Sequence, residues 1–417
     1  CSMAQSHLGQ MYLFGRGVKQ DRKEAVKHFK LASDNNCKEA QHNLGLMYLN
    51  GDGVVQDEQA ALNLFKKAAE QGHASAQCSL GLMYARGEGI TQSYKQALMW
   101  FEKAAEQGHV VAQYNLGWTY SNGHGVPQDY KKAIIWYQKA AEQGLASAQY
   151  SLGLMYANGD GITHDYKQAV KWIQMAAEQN HAYAQHYLGS FYLMGQGVEQ
   201  DDIQAFKWYE MAAEQGVAES QSILGEMFVN GRGVTEDSLK AIEWFSKAAE
   251  QGYAQAFGRL SQIYQTGTSQ VEQNWEKAIQ YLNSAVELDD TEAMLTLAQF
   301  YADGIALEQS DEKSNVLNFK ALDLGNAKAA YNLGISFERG RGVDVDFQRA
   351  SNLYLFAAKA GLPTAMHNLA ALNFNKSIEP SDIDLAKFLY MSASSLGSSM
   401  SSYILGRMYM LGEGVDI

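Results

Sequence analysis

A leucine followed by a small residue returns every 36 residues, at Leu8, Leu44, Leu80, Leu116, Leu152, Leu188, Leu224 and Leu260, and that spacing leaves the chain little choice of architecture. The series continues at Leu297, Leu333, Leu369 and Leu405 after one 37-residue step, where the loop around Thr268 and Ser269 holds an extra residue. About twelve copies thus cover all 417 residues. A unit this short cannot bury its own apolar face, so neighbouring copies must stack. The expected product is an extended curved surface and not a pocketed globule.

Within a copy, Ala lies four residues before the key Leu, a small residue one after it and an aromatic four after it, as in Ala112, Leu116, Gly117 and Tyr120. At about 100° per residue these positions share one arc, which is a helical period. This first helix, A, stops at a G-x-G-V or G-x-G-I segment such as Gly51 and Gly53 or Gly123 and Gly125, because Gly accepts the left-handed conformation that follows a helix. An acidic residue then recurs at Asp21, Asp57, Asp129, Asp165, Asp201 and Asp237, often with Glu or Gln three residues on, as in Asp21 with Glu24. That pattern predicts a capping box opening a second helix, B. Helix B carries Ala, an aromatic pair and Ala-Ala, as in Ala133, Trp136, Tyr137, Ala140 and Ala141, and ends at E-Q-G. Trp100, Trp136, Trp172, Trp208 and Trp244 share one slot and are assigned to the core. The recurrent Gln41, Gln77, Gln113, Gln149, Gln185 and Gln221 are assigned to scaffold hydrogen bonds with a neighbouring turn.

Composition removes several function classes. The formal charge of −13 opposes binding to a phosphate backbone, so nucleic acid is not expected as a ligand. Three cysteines make no disulfide framework, and Cys1 and Cys37, which occupy the same repeat slot, lack metal-ligand spacing. No apolar run is long enough to span a bilayer. The G-D-G segments at Gly51 to Gly53 and Gly159 to Gly161 lack the order of ligands of a calcium loop. The G-x-G segments follow helices, unlike dinucleotide fingerprints. No H-E-x-x-H, G-x-S-x-G or C-x-x-C occurs. Asn375, Lys376 and Ser377 form one sequon, a pattern short enough to arise by chance. His73, His109 and His181 fall at or beside the turns between copies, where a surface role is expected. No catalytic residue, metal or cofactor is therefore expected. Residue 1 already lies in a helix A and the last copy stops at Gly414, Val415 and Ile417 before any helix B, so the native protein is expected to continue.

The pattern A-x-x-x-L-G-x-x-Y-x-x-G-x-G-V followed by D-x-x-x-A-x-x-W-Y-x-K-A-A-E-x-G resembles the Sel1-like repeat family, a relative of the tetratricopeptide solenoids. The resemblance covers essentially the whole chain, with regular repeats over 1–267 and divergent repeats continuing the same solenoid over 268–417. It implies an all-α, right-handed α/α superhelix acting as a non-enzymatic adaptor for protein complexes, in bacterial signalling, envelope or host-interaction settings, and a periplasmic or secreted home by family habit. Loops near 269–290, 306–314 and 373–384 lose G-x-G and the capping Asp, which questions their local geometry.

Residues that recur in every copy build the scaffold, so specificity is sought where copies differ and face outward. On helix A the offsets −2, +2 and +5 from the key Leu lie opposite the packed arc and, by the resemblance, line the concave face. The candidate partner-binding residues are His42, Leu46, Leu82, Tyr114, Trp118, Tyr150, Leu154 and His186. An aromatic and aliphatic strip on an acidic protein suits an extended peptide or an amphipathic helix. Trp118 is singled out, since its slot holds Leu, Ser, Glu or Gln elsewhere in the regular repeats. Tyr114 and Tyr150 suit the inter-helix seam equally well. Two other readings stay open: a regulatory or inhibitory domain acting on an enzyme such as a cell-wall hydrolase, or attached to one, and self-association through the terminal repeats.

Overall fold

The computed structural model describes residues 2–375, 377–378 and 382–412. Cys1, the middle residue of the sequon and the final Gly414, Val415 and Ile417 lie outside them. The described residues form helices and no strands, in two compact units, Cys1–Gln215 and Gly216–Ile417. Each unit is a series of helix-turn-helix pairs packed one on the next, the expected α/α solenoid. The first holds six pairs, from Ser2–Phe14 with Arg22–Asp34 to Ala182–Met194 with Asp202–Glu214. The second holds five pairs, from Ala218–Asn230 with Ser238–Glu250 to Pro363–Phe374 with Ile383–Ser395, and then the A helix Ser399–Leu411.

The A and B helices of a pair approach closely because a glycine faces a ring. A methyl group added at Gly81 would lie 2.6 Å from the Phe101 ring, and one at Gly117 would lie 2.5 Å from that of Tyr137. The fully packed ring of helix B is thus Phe65, Phe101, Tyr137, Tyr209 or Phe245, one position after the tryptophan slot. This corrects the assignment of the tryptophans to the core. Trp100, Trp136 and Trp244 are half-buried, and Lys103, Lys139 and Lys247, one helical turn on, lay their ammonium groups 4.0–4.4 Å from the ring centroids. A lysine at i+3 can cover the ring with its stem and keep its charge in water, which holds this slot at the rim.

Helix B opens as expected in one half of the cap only. Asp21 accepts from the backbone N–H groups of Lys23 and Glu24, but its own N–H donates to the Tyr12 carbonyl at 3.0 Å and not to Glu24, whose carboxylate meets Lys27. The same link runs from Asp57 to Tyr48, from Asp129 to Tyr120 and from Asp165 to Tyr156. The reciprocal half of the capping box is unused because the backbone of helix A already satisfies that donor. Two divergent loops keep the arrangement, Asn274 capping through Lys277 N–H and donating to Tyr264, and Ser310 capping through Lys313 N–H and donating to Tyr301, whereas Asp382, which caps through Leu385 N–H, donates to the Asn373 side chain instead.

A repeated amide contact ties the end of helix B to helix A of the same pair, and the same glutamine reaches back to the pair before. Gln71 donates to Gln41, Gln107 to Gln77, Gln143 to Gln113, Gln179 to Gln149, Gln215 to Gln185 and Gln251 to Gln221, over 2.6–2.8 Å. Gln77, Gln113, Gln149 and Gln185 in turn donate to the carbonyls of Ala69, Ala105, Ala141 and Ala177 near the end of the preceding helix B. The buried amide is satisfied on both sides, which explains its recurrence without any ligand.

Candidate functional site

The packed arc of an A helix fixes what its other face can show. In Val110–Asn122 the buried residues are Ala112, Gln113, Leu116, Gly117 and Thr119, which leaves Tyr114, Trp118 and Ser121 toward the opposite side. In the second unit, a groove of about 600 Å³ runs along the A helices Thr291–Asp303 and Ala327–Arg339 and the start of Pro363–Phe374. Its walls include Leu295, Gln299 and Tyr331, at the anticipated offsets −2 and +2, and also Glu292, Lys328 and Thr364 at −5 and Thr296 and Asn332 at −1. The outward face is therefore broader than the −2, +2 and +5 stripe. Tyr183, at −5 and 52% exposed, belongs to it and escaped the sequence reading.

The candidate residues divide by depth. Leu46 packs on the cluster of Phe65, Leu80 and Met83, Leu82 on that of Phe101 and Leu116, and Leu154 on that of Ile173 and Leu188. Tyr114 tilts against Tyr137 at 5.7 Å. Tyr150 stacks on His181 at 4.8 Å and touches Tyr187, and burial raises its phenol well above the usual range. His186 meets Tyr187 and Tyr209 edge-on. His42 lies 5.0 Å from the His73 ring and shares a 3.2 Å hydrogen bond with Ser79 Oγ. These seven side chains are half-buried and help fill the seam between repeats while showing one edge outward.

Trp118 differs from all of them, being 39% exposed. Its indole stacks on His124 at 4.6 Å, and His124 stacks on Tyr94 at 4.7 Å. Sequence reasoning missed both partners. A signal existed: the slots of Tyr94 and His124 hold Arg22 and Asp52 two repeats earlier, and those two form an ion pair at 2.7 Å. The start of one helix B therefore always faces the turn of the next repeat, and comparing those slots would have brought the three rings together.

The inter-repeat histidines are helix caps. Nδ1 of His73, His109 and His181 accepts from the backbone N–H of Ala76, Ala112 and Ala184 at 3.1–3.3 Å. A ring nitrogen can accept only when it carries no proton. Burial holds all three below the ordinary imidazole range, and it drives His42, which also faces His73 and His109, down to about 4. These rings are consequently uncharged at neutral pH. Burial pushes the Cys78 thiol up to about 12, so it offers no thiolate nucleophile there.

The family model described as Sel1 repeat matches residues 2–37, 38–73, 74–109, 110–145, 146–181, 182–217, 218–253, 258–290, 327–362, 363–398 and 399–416. The chain belongs to the Sel1 repeat family. The unmatched stretch 291–326 still folds as a Sel1-like helix pair, Thr291–Asp303 and Asp311–Asp323. Among solved structures, the Sel1 array is similar to c5321, a protective antigen present in uropathogenic Escherichia coli strains, at 32% identity and a TM-score of 0.76, over 98% of this chain and 87% of that one. It is also similar to a Sel1 repeat protein from Oxalobacter formigenes, at 33% identity and a TM-score of 0.53, over 59% of this chain and 96% of that one. Curated relatives match over shorter stretches. Chitin synthase regulatory factor 3 of Schizosaccharomyces pombe is 37% identical over 95 residues, and the ERAD-associated E3 ubiquitin-protein ligase component HRD3B of Arabidopsis thaliana is 31% identical over 86. Those matches take in 22% and 21% of this chain and only 10% and 14% of the relatives' own lengths. Sel1 repeat arrays are protein-interaction scaffolds, and no enzymatic family is indicated.

Proposed function

We propose that this chain is a non-enzymatic adaptor that holds an extended peptide or an amphipathic helix of a partner protein against the A-helix face of its first unit, with Trp118 as the anchor. The single observation that carries this reading is a large indole left 39% exposed in a slot that its sister repeats fill with smaller side chains, and braced from behind by His124 and Tyr94. A preorganised aromatic anchor loses little freedom on binding, which is the property of an interface hot spot. Tyr114, Tyr150, Leu82 and Leu154 supply flanking contacts, and His42, Leu46 and His186 its two ends. Nucleic acid is not the ligand, given the net charge of −13. The setting that suits such an adaptor is bacterial signalling, the cell envelope or a host interface.

The test pairs wild-type chain with Trp118→Ala in affinity capture, with circular dichroism and melting measured on both. Loss of a partner at unchanged helicity supports the reading, and equal capture by the two proteins sinks it. A second reading, a domain that regulates an enzyme, draws support from two of the relatives, one a chitin synthase regulatory factor and the other a component of an E3 ubiquitin-protein ligase. Under that reading the captured partner is itself an enzyme whose rate changes when the array is added.

A further inference from the structure

The outward positions of the A helices, offsets −5, −2, −1, +2 and +5, can be compared copy by copy. In the four helices Ala74–Arg86, Val110–Asn122, Ala146–Asn158 and Ala182–Met194 none of these positions holds Asp, Glu, Lys or Arg. They hold Ser, Asn, Ala, Leu, Val and aromatic side chains, with His186 the sole imidazole and Cys78 turned into the core. The histidines that cap three of these helices are held neutral by burial. The second unit treats the same offsets differently: Arg259 pairs there with Glu226, and Lys328 with Glu292 at 3.1 Å. An acidic chain in which 19% of residues are charged has thus kept charge off this face through four consecutive copies.

From this we infer that the face built by 74–194 takes an uncharged, aromatic and aliphatic segment of a partner protein, and that its affinity is close to independent of salt. The inference rests on the Trp118-centred reading above and adds the chemistry of the occupant. A charged side chain laid on this face would shed hydration and meet no counter-charge, a cost no other contact there repays. Apolar side chains meet Trp118, Tyr183, Leu82 and Leu154, while the Asn115 amide and the Ser hydroxyls, some already bonded within the array as Ser79 is to His42, can also pair with the backbone of an extended segment. Aliphatic side chains interleaved with the rings, and the lack of carboxylates to accept from sugar hydroxyls, favour a peptide over a neutral glycan.

The experiment pans a phage-displayed random dodecapeptide library on the whole chain, with Trp118→Ala and Tyr183→Ala as counter-targets. Tyr183 is exposed enough that its truncation leaves the packed seam alone. The expected peptides are uncharged and rich in Trp, Phe, Leu or Met. They should bind wild type at least about tenfold more tightly than Trp118→Ala, with Kd changing less than about twofold between about 50 and 500 mM salt. Peptides that need Trp118 but are acidic or basic, with salt-sensitive binding, overturn the uncharged occupant and leave the Trp118 anchor standing. Peptides indifferent to both substitutions, or no enriched peptide at all, overturn the inference together with the reading beneath it. A parallel titration with neutral soluble glucan oligosaccharides closes the other route: tight, Trp118-dependent binding there overturns the peptide assignment.

Discussion

Copies before about residue 254 and copies after it solve the same joint with opposite chemistry. Up to Gln221 and Gln251 the end of helix B is tied to helix A of its own pair by a bond from an outer glutamine to a buried one. In the copies that follow, the first slot holds Phe257, Met294, Ala330 and Met366, and its partner slot holds Leu288, Leu324, Ala360 and Leu396. Both members change together, from two glutamines to two apolar residues. The caps of helix A change as well, from His73, His109 and His181 to Asp290, Asn326 and Ser398, all accepting a backbone N–H of the first turn. Since the helix pair survives these exchanges, each slot asks for a satisfied pair and not for a residue. A lone glutamine opposite leucine would leave a buried amide short of a partner.

The comparison can be broken or sharpened by substitution. The largest effect is expected at the ring slot, aromatic in most early copies and at Tyr354 and Tyr390 in the later ones: Phe65→Ala should cost about 3–5 kcal/mol in urea unfolding, as Phe65 is fully buried against Gly45. Acidification comes next. The folded state holds His42 neutral with its acid constant near 4 against an ordinary value near 6.5, so the unfolded chain takes up the proton first. That contribution is whole above about pH 6.5 and is lost as the pH falls toward 4, by roughly 3 kcal/mol for His42, with His73, His109 and His181 shifting in the same direction. Hydrogen exchange at pH 5 should therefore show 38–194 losing protection ahead of 291–359, which holds no histidine, and uniform loss would break the comparison.

Smaller changes probe the joint itself. Gln107→Leu should cost about 1–3 kcal/mol by leaving the Gln77 carbonyl without its donor, and adding Gln77→Met should return most of that loss, because the pair then matches Met294 and Leu324. Additive costs in that double variant would contradict the paired-slot account. Gly117→Ala should destabilise by about 1–3 kcal/mol through overlap with Tyr137, read as a shift in melting temperature. Least of all, Lys328→Ala should change stability by under about 0.5 kcal/mol, since its bond to Glu292 is exposed.

The solenoid was legible because a 36-residue period, a glycine stop and an aspartate start all recur, and each has one local cause. The role of the recurrent glutamine was legible for the same reason. Less readable were features that depend on two copies at once. Trp118 stood out as an anomaly, but its support by His124 and Tyr94 crosses from one repeat to the next, at slots that carry different residues elsewhere. The unused half of the capping box was hidden too, because its competitor is a backbone carbonyl with no signature in the side chains. His73, His109 and His181 were unread as caps since imidazole takes this role only when burial keeps it unprotonated. Depth along the A-helix face misled for a simpler reason: helical phase gives direction, whereas the lean of the neighbouring helix decides how far a side chain emerges.

The amide that reaches back to the preceding carbonyl carries an evolutionary corollary. Gln113 takes the carbonyl of Ala105 and Gln149 takes that of Ala141, so loss of 110–145 by unequal crossover would deliver Gln149 to Ala105, the acceptor Gln113 uses now. Duplication works equally well in reverse. The gene can therefore gain or lose whole turns of the array without a mismatched junction, and the length of the protein can drift or be selected separately from the chemistry displayed along it.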